Sequence, residues 1–189
     1  DGLVLWRTTV VGGPLLLGKA FSQRQTASSV DMLVSSKQLV FIATSDPAST
    51  VTALALSSNS SQQPTVQWRW AAPRSSSVLA MRTIGDTQLA VGLSSGTVIL
   101  LNSSSGTAAI VWSEKVTSAG MVTALTLAPE AWGSSPSSGS VLLVSTNEVP
   151  ADQSQPVRGR MVAISAVDGG LLWTAAAPTP ATPLTVAGG

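Results

Sequence analysis

The side chains of this chain that could do chemistry are few and dispersed. Its internal acids are Asp31, Asp46, Asp86, Glu114, Glu130, Glu148, Asp152 and Asp168, and no group of them has the spacing of a calcium loop. Three sit beside turn formers, in Asp46-Pro47, Gly85-Asp86 and Asp168-Gly169, where turn chemistry accounts for them. Cys, His and Tyr are absent. That removes disulfides, thiolate and imidazole metal ligands, and Ser-His or Cys-His nucleophilic catalysis. Gly13-Pro14-Leu15-Leu16-Leu17-Gly18-Lys19-Ala20 comes close to a phosphate-binding loop. That loop needs free backbone N–H groups and a hydroxyl for Mg²⁺, but Pro14 lacks the N–H and Ala20 lacks the hydroxyl, so no nucleotide site is expected. With 10 Lys+Arg against 9 Asp+Glu, the chain has none of the clustered cations of a nucleic-acid binder.

Two further sites are modifications or contacts rather than catalysts. Asn59-Ser60-Ser61 and Asn102-Ser103-Ser104 are N-glycosylation sequons in expected turns, which points to a secretory or ER-lumenal setting. Ser and Thr make up 48 of 189 residues, so composition alone produces such triplets often. Trp68-Arg69-Trp70 alternates, placing both rings on one strand face. Trp70 and Trp132 are the candidate partner contacts if exposed. Arg158-Gly159-Arg160 reads as a solvated hairpin rim.

The elements that must carry these residues are short strands. Charged residues are only 10% of the chain, and apolar runs are cut by Ser, Thr, Gly and Pro. Runs of four to six apolar residues between Gly, Asn and Ser read as buried strands, and no helical period is found. The longest uncharged stretch, Thr87 to Ser113, is broken by Ser94-Ser95-Gly96 and Asn102 to Gly106, which argues against a transmembrane helix. Trp6, Trp68, Trp112 and Trp173, at separations of 62, 44 and 61, set a repeat. The middle interval suits a propeller blade of four strands. The longer ones need insertions, expected as loops at Gly12 to Ser28, Trp132 to Gly139 and Pro150 to Pro156.

The shortest unit is Val78–Met81, Gln88–Leu93, Thr97–Leu101 and Ala108–Trp112. Equivalent sets lie on either side. Blades are therefore expected over 29–73, 78–116 and 120–178. Residues 1–10 are expected as the last strand of a preceding blade, and 183–189 as the first strand of a following one. The near-continuous apolar runs fit strands covered on both faces.

Ala163-Ile164-Ser165-Ala166-Val167-Asp168-Gly169-Gly170-Leu171-Leu172-Trp173 resembles the repeat of PQQ-like (quinoprotein-type) β-propellers, Ala-x-Asp-x-x-Thr-Gly-Lys-x-x-Trp. Ala163, Gly169 and Trp173 match; Ser165, Asp168 and Gly170 depart. Asp1-Gly2-Leu3-Val4-Leu5-Trp6 matches the second half through Gly2 and Trp6. The unit ending at Trp112 keeps Asn102 and Gly106 with two extra residues, and the unit ending at Trp68 has no Gly.

The resemblance implies an all-β partial propeller in which Trp6, Trp68, Trp112 and Trp173 dock between blades, with Gly2, Gly106 and Gly169 in the turns. It implies a non-catalytic scaffold that binds protein partners within a multi-subunit assembly, an ER-lumenal or secretory membrane-protein complex being one setting. PQQ- and Ca²⁺-dependent dehydrogenases share the repeat, but their vicinal disulfide has no counterpart here. A ligand-sensing lumenal propeller is the remaining alternative. Three blades make an open arc, whereas propellers usually close with about four to eight blades. The expectation is a segment completed by further blades or by a partner chain.

Overall fold

The computed structural model describes residues 4–10, 13–18, 30–35, 39–44, 49–56, 64–103, 106–128, 140–150 and 156–177, with side chains described between 39 and 176. Every regular element among them is a strand: β1 (Val4–Val10), β2 (Gly13–Gly18), β3 (Val30–Ser35), β4 (Leu39–Thr44), β5 (Thr50–Ala55), β6 (Thr65–Ala71), β7 (Val78–Ile84), β8 (Gln88–Leu93), β9 (Thr97–Asn102), β10 (Ala109–Lys115), β11 (Gly120–Leu127), β12 (Val141–Glu148), β13 (Arg158–Ser165) and β14 (Leu171–Ala177). No helix among the described residues is long and apolar enough to cross a membrane.

The strands form three four-stranded antiparallel meanders, β3-β4-β5-β6, β7-β8-β9-β10 and β11-β12-β13-β14, each with chain order equal to spatial order. Glycines with positive φ turn the chain at Gly85, Gly96, Gly106 and Gly169. Contact between sheets concentrates on the first strands, β3 beside β7 and β7 beside β11. Sheets that meet along their first strands and splay toward their fourth are propeller blades, and the chain is a partial β-propeller.

Burial explains why the apolar runs are continuous. In the second sheet Leu89, Val91, Leu93, Ile99 and Leu101 pack toward the first sheet, in a core with Phe41, Val51, Ala53 and Trp68. The intervening Ala90, Val98 and Leu100 pack the opposite way, with Val122, Leu142, Val144, Val162 and Ile164 of the third sheet. A strand sandwiched by neighbours must be apolar at consecutive positions, not alternate ones. Gly92 completes the fit: it faces the Val122 side chain across the interface, so closely that a methyl at Gly92 would collide with it.

One segment differs from expectation. Residues 13–18, expected within a loop, form β2 and pair with β1, from Val10↔Gly13 to Val4↔Gly18. Leucine has no intrinsic preference for extended backbone, so it is the pairing with β1 that holds this segment as a strand. Pro14 is tolerated because an edge strand leaves one row of N–H groups without ladder partners. The would-be phosphate loop is thus a strand. The expected terminal strand at 183–189 lies outside the described residues.

Candidate interaction surfaces

Each motif tryptophan follows a β-bulge. The register skips one residue between Val4 and Trp6, between Val66 and Trp68, between Ile110 and Trp112, and between Leu171 and Trp173. The extra residues are Leu5, Gln67, Val111 and Leu172. A bulge accentuates local twist and re-aims the next side chain. Here it sets Trp68, Trp112 and Trp173 opposite a residue of their sheet's third strand, Ala53, Leu100 and Ala163, and Trp6 opposite Leu17 of β2.

Trp112 shows what this achieves. Its Nε1–H donates to the Ala166 carbonyl of the third sheet at 3.1 Å, and its ring covers Gly169. The β13–β14 turn is prepared for that contact by its own bonds. Gly169 N–H donates to Ser165 O (2.9 Å), Ser165 N–H to Gly170 O (2.8 Å), and Gly170 N–H to Asp168 Oδ1 (3.0 Å). The Ser165 hydroxyl, followed by the Gly170 N–H, holds the Asp168 carboxyl below its ordinary pKa. The Ala166 carbonyl is left to accept the indole.

Trp68 is as buried, at 6% exposure against 9% for Trp112. It packs on Phe41, ring centroids 5.8 Å apart. Yet among the described residues its Nε1 meets no acceptor, and Gly106, in the turn of the facing sheet, has open space where a Cβ would stand. Gly106 therefore does not lie under the ring, and its positive φ serves the turn alone. Trp173 differs again. Expected to be docked, it is 41% exposed.

The bulges also create a rim. Val66 before Trp68, Ile110 and Val111 before Trp112, and Leu171 and Leu172 before Trp173 are all exposed, with Val167 beside them in the β13–β14 turn. Sequence reasoning missed these residues; their signal was two consecutive aliphatics ahead of each later Trp. Trp70 is partly buried and packs against the first core rather than standing free. Asn102 ends β9, half-buried, between Gln88 and Ala109. Trp6 lies on β1, where only backbone is described, and Gly2, Asn59 and Trp132 lie outside the described residues.

Among the described residues one ion pair ties two elements together. Glu148 accepts from Thr117 Oγ1 (2.9 Å) and pairs with Arg160 Nε (3.4 Å), tying the β10–β11 connection to the β12–β13 hairpin. Among the described residues no group of His, Cys, Asp or Glu could hold a metal ion.

No protein-family model and no curated protein sequence matches the chain. Among solved structures it is similar to the computationally designed Ika8 protein (TM-score 0.47, 14% identity, 86% of this chain and 54% of that one). It is also similar to BamB from Moraxella catarrhalis (TM-score 0.43, 15% identity, 78% and 52%). A third is the β-propeller domain of Cps50 (Swd1) from Myceliophteria thermophila (TM-score 0.36, 14% identity, 76% and 57%). The chain spans about half the length of these structures.

Proposed function

We propose that this chain is a segment of a PQQ-like β-propeller that acts as a non-catalytic scaffold, holding protein partners within a larger assembly. The observation that carries the reading is the outer rim. Val66, Ile110, Val111, Leu171 and Leu172 recur at equivalent bulge positions in three consecutive sheets, and all are exposed. Aliphatic side chains repeated at one level of a surface favour a covering partner, because each loses contact with water when covered. The two sequons favour a lumenal compartment. There Asn102, beside the exposed Gly106 turn, would be the glycan site of the second sheet.

The test is a pair of rim substitutions, Val111→Ser with Leu172→Ser, in the chain purified with its native assembly. Loss of partners with unchanged circular dichroism and unchanged Trp fluorescence is expected. Full retention of partners by the double variant, or quinone-dependent dye reduction by the wild-type chain supplied with PQQ and Ca²⁺, would overturn the reading.

A further inference from the structure

The outer edges of the three sheets are not alike. Among the described residues β6, β10 and β14 each end a sheet and have a single strand neighbour. Along an antiparallel edge strand the residues alternate, one directing its N–H and C=O to the neighbour and the next directing them outward. On β13 the Ser165 N–H points to Gly170 O, so Ala163 and Met161 also face β14, opposite Trp173 and Ala175. Thr174 and Ala176 therefore direct their backbone groups outward. Counted from the Ala72 N–H bond to Ser49 O, the outward positions of β6 are Arg69 and Ala71. Those of β10, counted from the equivalent Trp112, are Ser113 and Lys115.

Charged side chains protect edge strands from pairing with other chains. β6 carries Arg69, and β10 carries Glu114 and Lys115, all exposed. β14 runs Leu171-Leu172-Trp173-Thr174-Ala175-Ala176-Ala177, with no charge and no proline. Its side chains from Leu171 to Ala176 are all exposed.

We propose that β14 is a dimerisation edge, pairing antiparallel with β14 of a second copy of this chain and joining two four-stranded sheets into one. The twofold axis passes at Ala175. Thr174 of each copy then meets Ala176 of the other, and these outward residues exchange about four backbone hydrogen bonds. Moving the axis to Thr174 would bring the bulged Leu172 into the ladder, and moving it to Ala176 would call on residues past the end of the strand.

The same register fails on the other two edges. On β10 it sets Glu114 against Glu114, and on β6 it sets two Arg69 on a diagonal; like charges so placed repel. On β14 an uncharged segment meets only itself, and one patch supplies both halves of the contact. This inference does not rest on the scaffold reading.

Sedimentation equilibrium of the isolated chain over a concentration series tests it. A reversible shift from 19.2 kDa toward twice that mass is expected. Amide exchange at Thr174 and Ala176 should slow over the same range, while exchange at Arg69 and Ser113 should not. Ala175→Lys opposes two cations on the axis and should weaken self-association about fivefold, with circular dichroism unchanged. Ala175→Glu should do the same, and an equimolar mixture of the two variants should recover a dimer at least as tight as wild type. That recovery requires folded chains, so it separates lost pairing from lost fold.

A chain that stays at 19.2 kDa at every concentration overturns the proposal. So does a dimer that both variants leave unchanged, because its contact then lies on another surface. A mixture no tighter than either variant alone overturns it as well.

Discussion

Trp112 on β10 donates its indole N–H to the Ala166 carbonyl at 3.1 Å, across 54 residues of sequence and from one sheet to the next. This bond joins the outer strand of the second blade to the β13–β14 turn of the third. Trp68, at the equivalent place one blade earlier, is equally buried and makes no such bond.

The two rings should therefore respond differently to the same substitution. Trp112→Phe strands the buried Ala166 carbonyl and is expected to cost about 1–3 kcal/mol. Trp68→Phe removes a buried donor that already lacks a partner, and should cost less. Urea unfolding of both variants decides the order; equal losses would show that the Ala166 bond contributes nothing.

Gly169 serves two requirements at once, a φ of 76° and a ring against its α-carbon. Gly169→Ala should lose more than about 1 kcal/mol, since alanine is strained at positive φ and its methyl displaces Trp112. Gly106→Ala meets only the conformational penalty, because space is open there. Thermal midpoints of the two variants should fall in that order, with a red shift of Trp emission only for Gly169→Ala.

Gly92 has ordinary strand backbone, and its constraint is the Val122 side chain. Gly92→Ala overpacks the second interface and is expected to cost about 1–3 kcal/mol. Adding Val122→Ala should recover part of the loss. Strict additivity in a double-mutant cycle would contradict the close contact.

Asp168 gives an acid-side dependence of modest size, because its carboxyl is solvent-exposed. Its folded pKa is depressed, so the stabilisation is complete above the ordinary carboxylate value near ~3.9. It is lost as pH falls through the lower folded value. Asp168→Ala should be less stable than wild type at neutral pH and converge on it in strong acid. Urea midpoints measured down the acid limb test this; parallel curves would rule it out.

Much of the fold was legible because its signals are local. Turn glycines, short apolar runs and the recurrent Trp marked the strands of the three sheets. The Asp168-Gly169 turn was legible for the same reason, since its bonds lie within a few residues. The strand at 13–18 was not, because Gly-Gly-Pro ahead of it suggests a loop and only pairing with β1 makes it extended. The bulges were also hidden, since a bulge is a mismatch between two strands and neither strand declares it alone.

The sequence by itself determined the unit: four short strands with an apolar middle pair, the last carrying a tryptophan, and in two of the three units a turn glycine ahead of it. Backbone propensity and side-chain hydrophobicity act over a few residues, so they can be read along the chain. Only the tertiary structure decided what each unit's tryptophan does. Trp112 is bonded, Trp68 is buried without a bond, and Trp173 is left half in solvent. Those outcomes depend on which turn of which neighbouring sheet arrives over the ring, and that is a relation between residues some fifty positions apart.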